Sequence, residues 1–486
     1  MGWIRGLHLR REHLSSFYHL EGRDLEDDCC RGLACFVARH RAAQKWRKTD
    51  EHPVYCLGKC YAGPAARSSD SATPIIKIQS RQSIVLSRVA NGGAPSLDEY
   101  IAAEGYTALH KALRLQPADL VHQIAISELR GRGGAGFPAG KKWRSVQSQP
   151  VGEKFVVANA DEGDPGAYID RFLLTDDPHA IIEAMVIAGY AVGAKHGYIY
   201  LRKEYPGAAV RLRKALEEAR GAKLLGENIL ALGYSFDIEL VIGSGSYVCG
   251  EETSLLNALE HKRPESRVRP PYPTVQGLMG KPTLITNVET LANVPWIIRQ
   301  GGEAYRALGF STSRGTKAIS LNSLFRYPGL YEVEFGISLR DIVEQLGGGL
   351  VSGSVRGVIV GGPLAGIIPP HLLDTPFAFD EMRAIGGTVG HGGVVAFDEH
   401  TTITELVSHI FEFGAFESCG KCTPCRTGTR RILELLAEYP GGSQSEVEAI
   451  VDALQIASVC GMGTGLAAFA SSVIRHYGLE NFRCRA

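Results

Sequence analysis

Cys419, Cys422 and Cys425 stand at two-residue gaps in the run Ser-Cys-Gly-Lys-Cys-Thr-Pro-Cys-Arg, and Cys460 stands alone downstream. A tight turn can give three thiolates to the corners of a cubane and a packed helix can give the fourth, so this spacing points to a [4Fe–4S] centre and to electron handling. A structural zinc commonly takes two separated Cys-x-x-Cys pairs rather than a triplet, and free buried thiols have no reason to keep such a spacing.

Three further runs could bind a ligand. Gly131-Arg-Gly133-Gly134-Ala-Gly136 matches the dinucleotide fingerprint as a string. That fingerprint requires a strand in front of it, and here an amphipathic helical pattern precedes it, which rejects the ordinary Rossmann reading. What remains is a surface loop, or a loop whose backbone closely approaches a ligand, with Phe137 as a planar surface and Lys142 as a phosphate-directed cation. Next, an apolar strand runs into Asn159-Ala-Asp161-Glu162-Gly163-Asp164-Pro165-Gly166. Three acids and an amide beyond the carboxyl end of a parallel strand suit a ligand, while a solvated turn is the bland alternative. Finally, Gly243-Ser-Gly245-Ser-Tyr-Val-Cys249-Gly250-Glu251-Glu252-Thr253 follows a strand and opens a helix. Its amides could bind an anion, and Glu251 and Glu252 are favourable in a first helical turn in any case.

Between 96 and 301, apolar β-rich runs (154–159, 197–202, 236–242) alternate with helical patterns (117–129, 178–194, 206–220, 251–260), which implies βα units around a mainly parallel sheet. Ligands of such sheets sit beyond the carboxyl ends of the strands. Residues 317–398 read as a small mixed α+β module, with strands at 317–322, 329–334, 357–360 and 393–397 around a helix at 338–346. Helical periodicity at 402–415, 426–438, 445–457 and 464–477 predicts a terminal bundle that carries the four cluster cysteines. Residues 1–64 are rich in helix formers and hold five cysteines, and the small polar residues 65–74 read as a linker.

The chain has 486 residues, enough for three or four domains. Its 52 basic and 52 acidic residues cancel, which gives no electrostatic case for nucleic acid or an anionic membrane surface. No apolar run is long enough to span a bilayer; residues 180–194 are too short, carry Glu183 and read as a core helix. The start lacks the apolar block of a signal peptide, and the cysteine spacings suit metal better than disulfides, so a cytoplasmic protein is expected.

Together, Gly-Arg-Gly-Gly-Ala-Gly-Phe-Pro, Asn-Ala-Asp-Glu-Gly-Asp-Pro-Gly, Cys-Gly-Glu-Glu-Thr and Ser-Cys-Gly-Lys-Cys-Thr-Pro-Cys-Arg-Thr-Gly closely resemble the NADH-binding flavoprotein subunit of respiratory complex I. The same family includes the diaphorase subunits of soluble NAD-linked formate dehydrogenases and [NiFe] hydrogenases. The likeness covers residues 81–478. It implies FMN and NAD(H) in one cavity, a [4Fe–4S] cluster on Cys419, Cys422, Cys425 and Cys460, and an α/β fold with four parts. These would be a Rossmann-like FMN/NADH domain (79–312), a β-grasp module of the soluble ligand-binding type (313–400), a helical bundle (401–486) and an N-terminal module with its linker (1–78).

By position, the resemblance sets FMN against Gly131, Gly133, Gly134, Lys142, Asn159, Asp161, Gly250, Glu251, Glu252 and Asn287. NADH would meet Phe137, Glu162, Asp164, Glu252, Arg269 and Tyr272, with Glu252 and Asp164 as orienting groups in the catalytic step. Asp164 stands where the family often has Glu, Ser145 where some members have an aromatic, Arg269 where Lys occurs and Thr286 where Asn precedes Asn287. In the first segment, Cys30-x4-Cys35 and Cys56-x3-Cys60 resemble the ligand pairs of the thioredoxin-like [2Fe–2S] subunit that accompanies this flavoprotein, here fused ahead of it. The interval from Cys35 to Cys56 is shorter than usual for that family, so zinc or an empty site stays open beside [2Fe–2S]. Cys29, Cys249 and Cys484 are left as plain thiols.

The implied activity is hydride exchange between NAD(H) and FMN followed by single-electron transfer. The implied partners are a thioredoxin-like [2Fe–2S] subunit and an iron–sulfur-rich formate dehydrogenase or hydrogenase subunit. A quinone-linked respiratory complex and a non-catalytic iron–sulfur scaffold are the rival readings.

Overall fold

A computed structural model describes residues 29–42, 54–66, 73–438 and 444–482. Cys484 and most of the expected N-terminal module lie outside the described residues.

The first sheet has five strands in the order Gly226–Ile229, Tyr234–Ile242, His196–Leu201, Phe155–Ala160 and Thr283–Asn287. The last four are parallel, and only the Gly226–Ile229 edge runs antiparallel. Residues of the inner strands are apolar on both faces because helices cover both sides, as a parallel sheet requires. The helix Pro178–Val192 is the central cover. It is apolar all round, nearly every residue is buried, and its Glu183 is satisfied by the Tyr100 hydroxyl and the Leu109 N–H. Pro178 at its start and Gly193 in the left-handed region at its end fix its length.

Strand order gives the sheet a switch point. From Phe155–Ala160 the chain moves outward through His196–Leu201 to Tyr234–Ile242, then returns to place Thr283–Asn287 on the opposite side. The register sets Asn159 directly beside Asn287 at the carboxyl ends of the two strands that flank the crevice. Open α/β sheets bind ligands at such a point.

The second sheet has six strands, ordered Ile75–Ile78, Gly329–Glu334, Thr316–Leu321, Gly393–Phe397, Gly357–Val360 and Ile367–Ile368, with mixed directions. Its edge strand Ile75–Ile78 pairs in parallel with residues 329–332, so these residues belong to this sheet although they precede the expected boundary at 79. The helix expected at 338–346 is one turn, Leu339–Asp341, continued by a π turn, Ile342–Leu346. The terminal bundle contains Ile403–Glu417, Thr429–Ala437, Gln444–Ala457 and Gly461–Tyr477. Thr402 and Glu405 form a reciprocal capping box that starts its first helix.

The described N-terminal residues dock on the rest of the molecule. The helix Leu33–Arg41 buries Leu33 to Ala38, and Phe36 stacks on His409 of the bundle at 4.0 Å. Tyr55 meets Phe413 edge-on, and Tyr61 meets Tyr168 of the five-stranded-sheet domain. Among the described residues, no helix is long and apolar enough to cross a membrane.

Candidate flavin, nucleotide and iron–sulfur sites

The glycine loop is pinned rather than free. Arg132, fully buried between Gly131 and Gly133, donates to the Tyr305 hydroxyl and the Arg314 carbonyl, and its own N–H reaches Thr290. Arg130 holds the Gly136 carbonyl and the Gly131 N–H donates to the Phe137 carbonyl. Although Gly133 and Ala135 lie at the surface, these bonds speak against a floppy loop. They press Gly133 onto Asn287, where a Cβ would stand 2.9 Å from the asparagine Cβ. Gly134, at φ +124°, has open space where its Cβ would be. The loop therefore presents bare backbone over the switch point, the arrangement a phosphate or ring system needs for close approach.

Asn159 donates to the Gly250 carbonyl at 2.8 Å, which draws the loop at 243–251 toward the same crevice. Asp161 is buried, with one carboxylate oxygen lacking a hydrogen-bond partner among the described residues, and burial pushes its pKa well up. A buried unsatisfied acceptor is costly, and a hydroxyl-bearing ligand is a natural partner for it. Glu251 does not face outward: its side chain caps the helix Glu252–Leu259 through the N–H groups of Thr253 and Ser254. Glu252 lies between Lys142 at 2.8 Å and Arg269 at 3.0 Å. Burial alone would raise its pKa, but Lys142 and Arg269 outweigh that and hold it below the usual carboxylate range. The donor set of bare amides, Asn159, Lys142 and an unsatisfied Asp161 fits FMN.

Arg269 also lines a cavity of about 510 Å³ together with Val268, Tyr272 and Val459. Phe137 and Tyr272 are more than half exposed, which leaves both rings available to stack on a ligand. Glu162 stands apart from this surface. Its buried carboxylate accepts the N–H groups of Ile169, Asp170 and Arg171, the Tyr205 hydroxyl and the His391 imidazole. Asp164 accepts the Tyr247 hydroxyl at 2.7 Å, and burial raises its pKa.

The bundle gathers the cysteine triplet and Cys460. Gly420, at φ +73°, allows the tight turn after Cys419, a π turn at Pro424–Gly428 carries Cys425, and Cys460 directly precedes the helix Gly461–Tyr477. Burial pushes Cys425 up to about 12 and raises Cys460, with other cysteines of the set adding to the rise. Burial thus disfavours the thiolates of Cys425 and Cys460, and a metal set among the four sulfurs is what would offset it, as metal coordination deprotonates thiol ligands. The site therefore fits the cluster. Tyr247 links it to the flavin side: its hydroxyl reaches Asp164, its N–H donates to Glu417, and its ring meets Phe413 edge-on.

Cys30, Cys35, Cys56 and Cys60 are all buried, with Cys56 and Cys60 sulfurs 3.3 Å apart and Cys30 beside both Cys35 and Cys56. Each sulfur accepts one backbone N–H: Gly32 to Cys30, Ala65 to Cys35, Gly58 to Cys56 and Gly166 to Cys60. The last donor belongs to the acidic loop of the crevice. Arg202 donates to the carbonyls of Cys56, Tyr55 and Glu162. Cys249 is a buried thiol raised by burial.

Tyr247, Asp170, Arg202 and His391 are the residues that sequence reading missed. Tyr247 was visible inside a glycine-rich run; the other three carry no motif.

Two family models match the chain: the Nuo51 FMN-binding domain over residues 124–296 and the NADH-ubiquinone oxidoreductase-F iron–sulfur binding region over residues 405–482. The chain is 42% identical over 374 residues to the NADP-reducing hydrogenase subunit HndC of Solidesulfovibrio fructosivorans, covering 76% of each. It is 39% identical to the F subunit of the NADH-quinone oxidoreductase of Aquifex aeolicus, over 85% of this chain and 95% of that one. A crystal structure of NAD+-reducing [NiFe]-hydrogenase in the H2-reduced state matches with a TM-score of 0.80 at 29% identity, covering 97% of this chain and 87% of that one. The resemblance read from four ordered motifs is thus shown over both halves of the molecule, and the chain belongs to the family of FMN- and [4Fe–4S]-binding flavoprotein subunits of NADH-quinone oxidoreductases and NAD(P)-linked hydrogenases.

Proposed function

We propose that this chain is the diaphorase subunit of a multi-subunit oxidoreductase, exchanging hydride between NAD(H) and FMN and passing electrons singly to a hydrogenase or formate dehydrogenase partner. The observation that carries this is the joining of two sites through one residue: Tyr247 touches both Asp164 of the crevice and the bundle that holds Cys419, Cys422, Cys425 and Cys460. When bound, FMN accepts the two electrons of a hydride and releases them one at a time, which an iron–sulfur group can carry onward.

The chain's own residues bind and orient. Lys142 and the amides of 131–136 hold phosphate; Asn159, Asp161 and Gly250 hold the polar side chain; Asn287 fixes the glycine loop. Phe137, Tyr272 and Arg269 offer planar and cationic surfaces to the dinucleotide, with Glu252 orienting it between Lys142 and Arg269. Glu162 acts from beneath, as the cap of the helix Ile169–Asp176, and Asp164 acts through Tyr247. Holding the two reactants in register can remove roughly 7–11 kcal/mol of barrier.

Cys30, Cys35, Cys56 and Cys60 are read as ligands of a [2Fe–2S] centre in a trimmed thioredoxin-like module, supported by four N–H···S bonds. The second sheet is read as a β-grasp, with boundaries near 78, 312 and 400, and the location as cytoplasmic. A quinone-linked respiratory complex is the second reading, favoured by the coverage of the Aquifex relative.

Acid extraction and chromatography of the purified complex test the central claim, with one non-covalent FMN per chain expected. Recovery of FAD, or of no flavin from protein whose clusters are intact, rejects it.

A further inference from the structure

The second sheet reaches the glycine loop of the flavin crevice through the segment that leads into one of its strands. Residues 386–392, Gly-Gly-Thr-Val-Gly-His-Gly, lead into the strand Gly393–Phe397, and Gly390 forms an antiparallel bridge with Gly134 of the glycine loop. The next residue, His391, is buried at 4% exposure. Its Nε2 lies 3.0 Å from Glu162 Oε1 and 3.4 Å from Asp170 Oδ2. Asp170 Oδ2 in turn accepts the Asn287 Nδ2 at 2.7 Å, while its Oδ1 accepts the Glu289 N–H. His391 is therefore tied to the glycine loop through the Gly390 bridge, to the acidic loop through Glu162 and to the Asn287 strand end through Asp170.

We propose that His391 is a positioning residue for the flavin, contributed by the second sheet: a buried imidazolium that locks Asn287 and the acidic loop and makes the crevice more hospitable to the negative charge of reduced flavin. This rests on the FMN reading of the crevice. Geometry fixes the position, since one Nε2–H faces two carboxylates whose remaining oxygens are held by backbone N–H groups. Charge fixes the sign. Burial disfavours the imidazolium, but Asp170 and Glu162 outweigh burial and raise its pKa well above the ordinary histidine value. Without that cation, the buried Glu162 and Asp170 carboxylates would lie beneath the crevice with no cation between them. The nearest buried lysine, Lys317, is occupied by Glu289 and by the His391 carbonyl.

The test compares the affinities of oxidised and reduced FMN for the full-length apoprotein of the parent, His391→Gln and Asp170→Asn at pH 8, with intact [4Fe–4S] absorbance as the fold control. In His391→Gln, reduced FMN is expected to lose about tenfold more affinity than oxidised FMN. For a two-electron couple this converts to a midpoint about 30 mV more negative. Asp170→Asn, which removes a negative charge from the same cluster, should shift the ratio in the opposite sense, and it decides the matter if His391→Gln fails to fold. Equal losses for both flavin states in either variant would reduce His391 to an uncharged packing contact and overturn the proposal. A parent protein that binds no FMN would instead overturn the crevice reading beneath it.

Discussion

Glu252 carries the sharpest expectation among single residues, because two cations compete for one carboxylate. Replacement by Gln keeps the shape but removes the charge that balances Lys142 and Arg269. NADH:ferricyanide turnover of Glu252→Gln should fall at least about tenfold, equivalent to ~1.4 kcal/mol of barrier, while acid-extractable FMN stays near the parent level. Turnover equal to the parent's across NADH concentrations would remove Glu252 from the reaction. Gly133→Ala makes the opposite separation. Its Cβ would stand 2.9 Å from that of Asn287, closer than side chains tolerate, so FMN should be lost while the [4Fe–4S] absorbance persists. Both residues were legible as motif positions. Their partners were not, since Lys142 and Glu252 are 110 positions apart and only the sheet brings them together.

At the scale of elements, segments with strong apolar patterning were legible and those without it were not. The helices at 178–192 and 206–221 and the strands at 357–360 and 393–397 fall where apolar patterning puts them. The strand Thr283–Asn287 was not legible because only Leu284 and Ile285 of its five residues are strongly apolar, unlike the apolar runs at 357–360 and 393–397, yet it forms one wall of the switch point. Ile75–Ile78 falls between the linker read at 65–74 and the expected boundary at 79, because nothing local shows that its partner lies at 329–332.

Contacts between elements also set a pH response. His409 is held neutral by burial, with His40 and Arg31 adding to the effect, and its pKa is lowered to about 3 against Phe36. A base with a depressed folded value stabilises above its unfolded value near 6.5 and loses that contribution as pH falls below it. Going from about pH 7.5 to 5.5 should weaken docking of the helix Leu33–Arg41 by about 1 kcal/mol, read as lower amide protection factors there once intrinsic exchange at each pH is divided out. His409→Leu should remove that pH dependence. A pH-independent protection factor in the parent would show that His409 does not titrate on undocking. Cys460→Ser, in a separate element, should damage the [4Fe–4S] signal and slow electron exit without releasing FMN, because the residues that anchor the glycine loop, Thr290, Tyr305 and Arg314, lie outside the terminal bundle.

For the whole molecule, the N-terminal cysteine segment is wedged against three bodies at once. Arg202 and Arg171 of the flavin-side domain donate to its carbonyls at Cys56 and Gly58, the Ser323 N–H of the second-sheet domain donates to Cys60, and His409 of the bundle stacks on Phe36. The sequence could suggest the cysteine pairs but not this docking, which depends on long-range contacts with no local signature. Removal should therefore act on one centre only if the cut respects the second sheet. Deleting residues 1–72 keeps Ile75–Ile78 paired with Gly329–Glu334, and should remove the reduced [2Fe–2S] signal, which persists at temperatures where [4Fe–4S] signals have broadened, while FMN and the other cluster stay. Deleting residues 1–78 also strips the edge strand and leaves the Glu332 carboxylate without the fold around its partners Ile84, Val85 and Leu86, so the melting temperature should fall by a further few degrees. Anaerobic metal analysis of the two forms completes the test: the parent should lose two irons and two acid-labile sulfides per chain on truncation at 72. Loss of zinc alone would reject the [2Fe–2S] assignment, and equal melting temperatures for the two truncations would show that the edge strand contributes nothing to the second sheet.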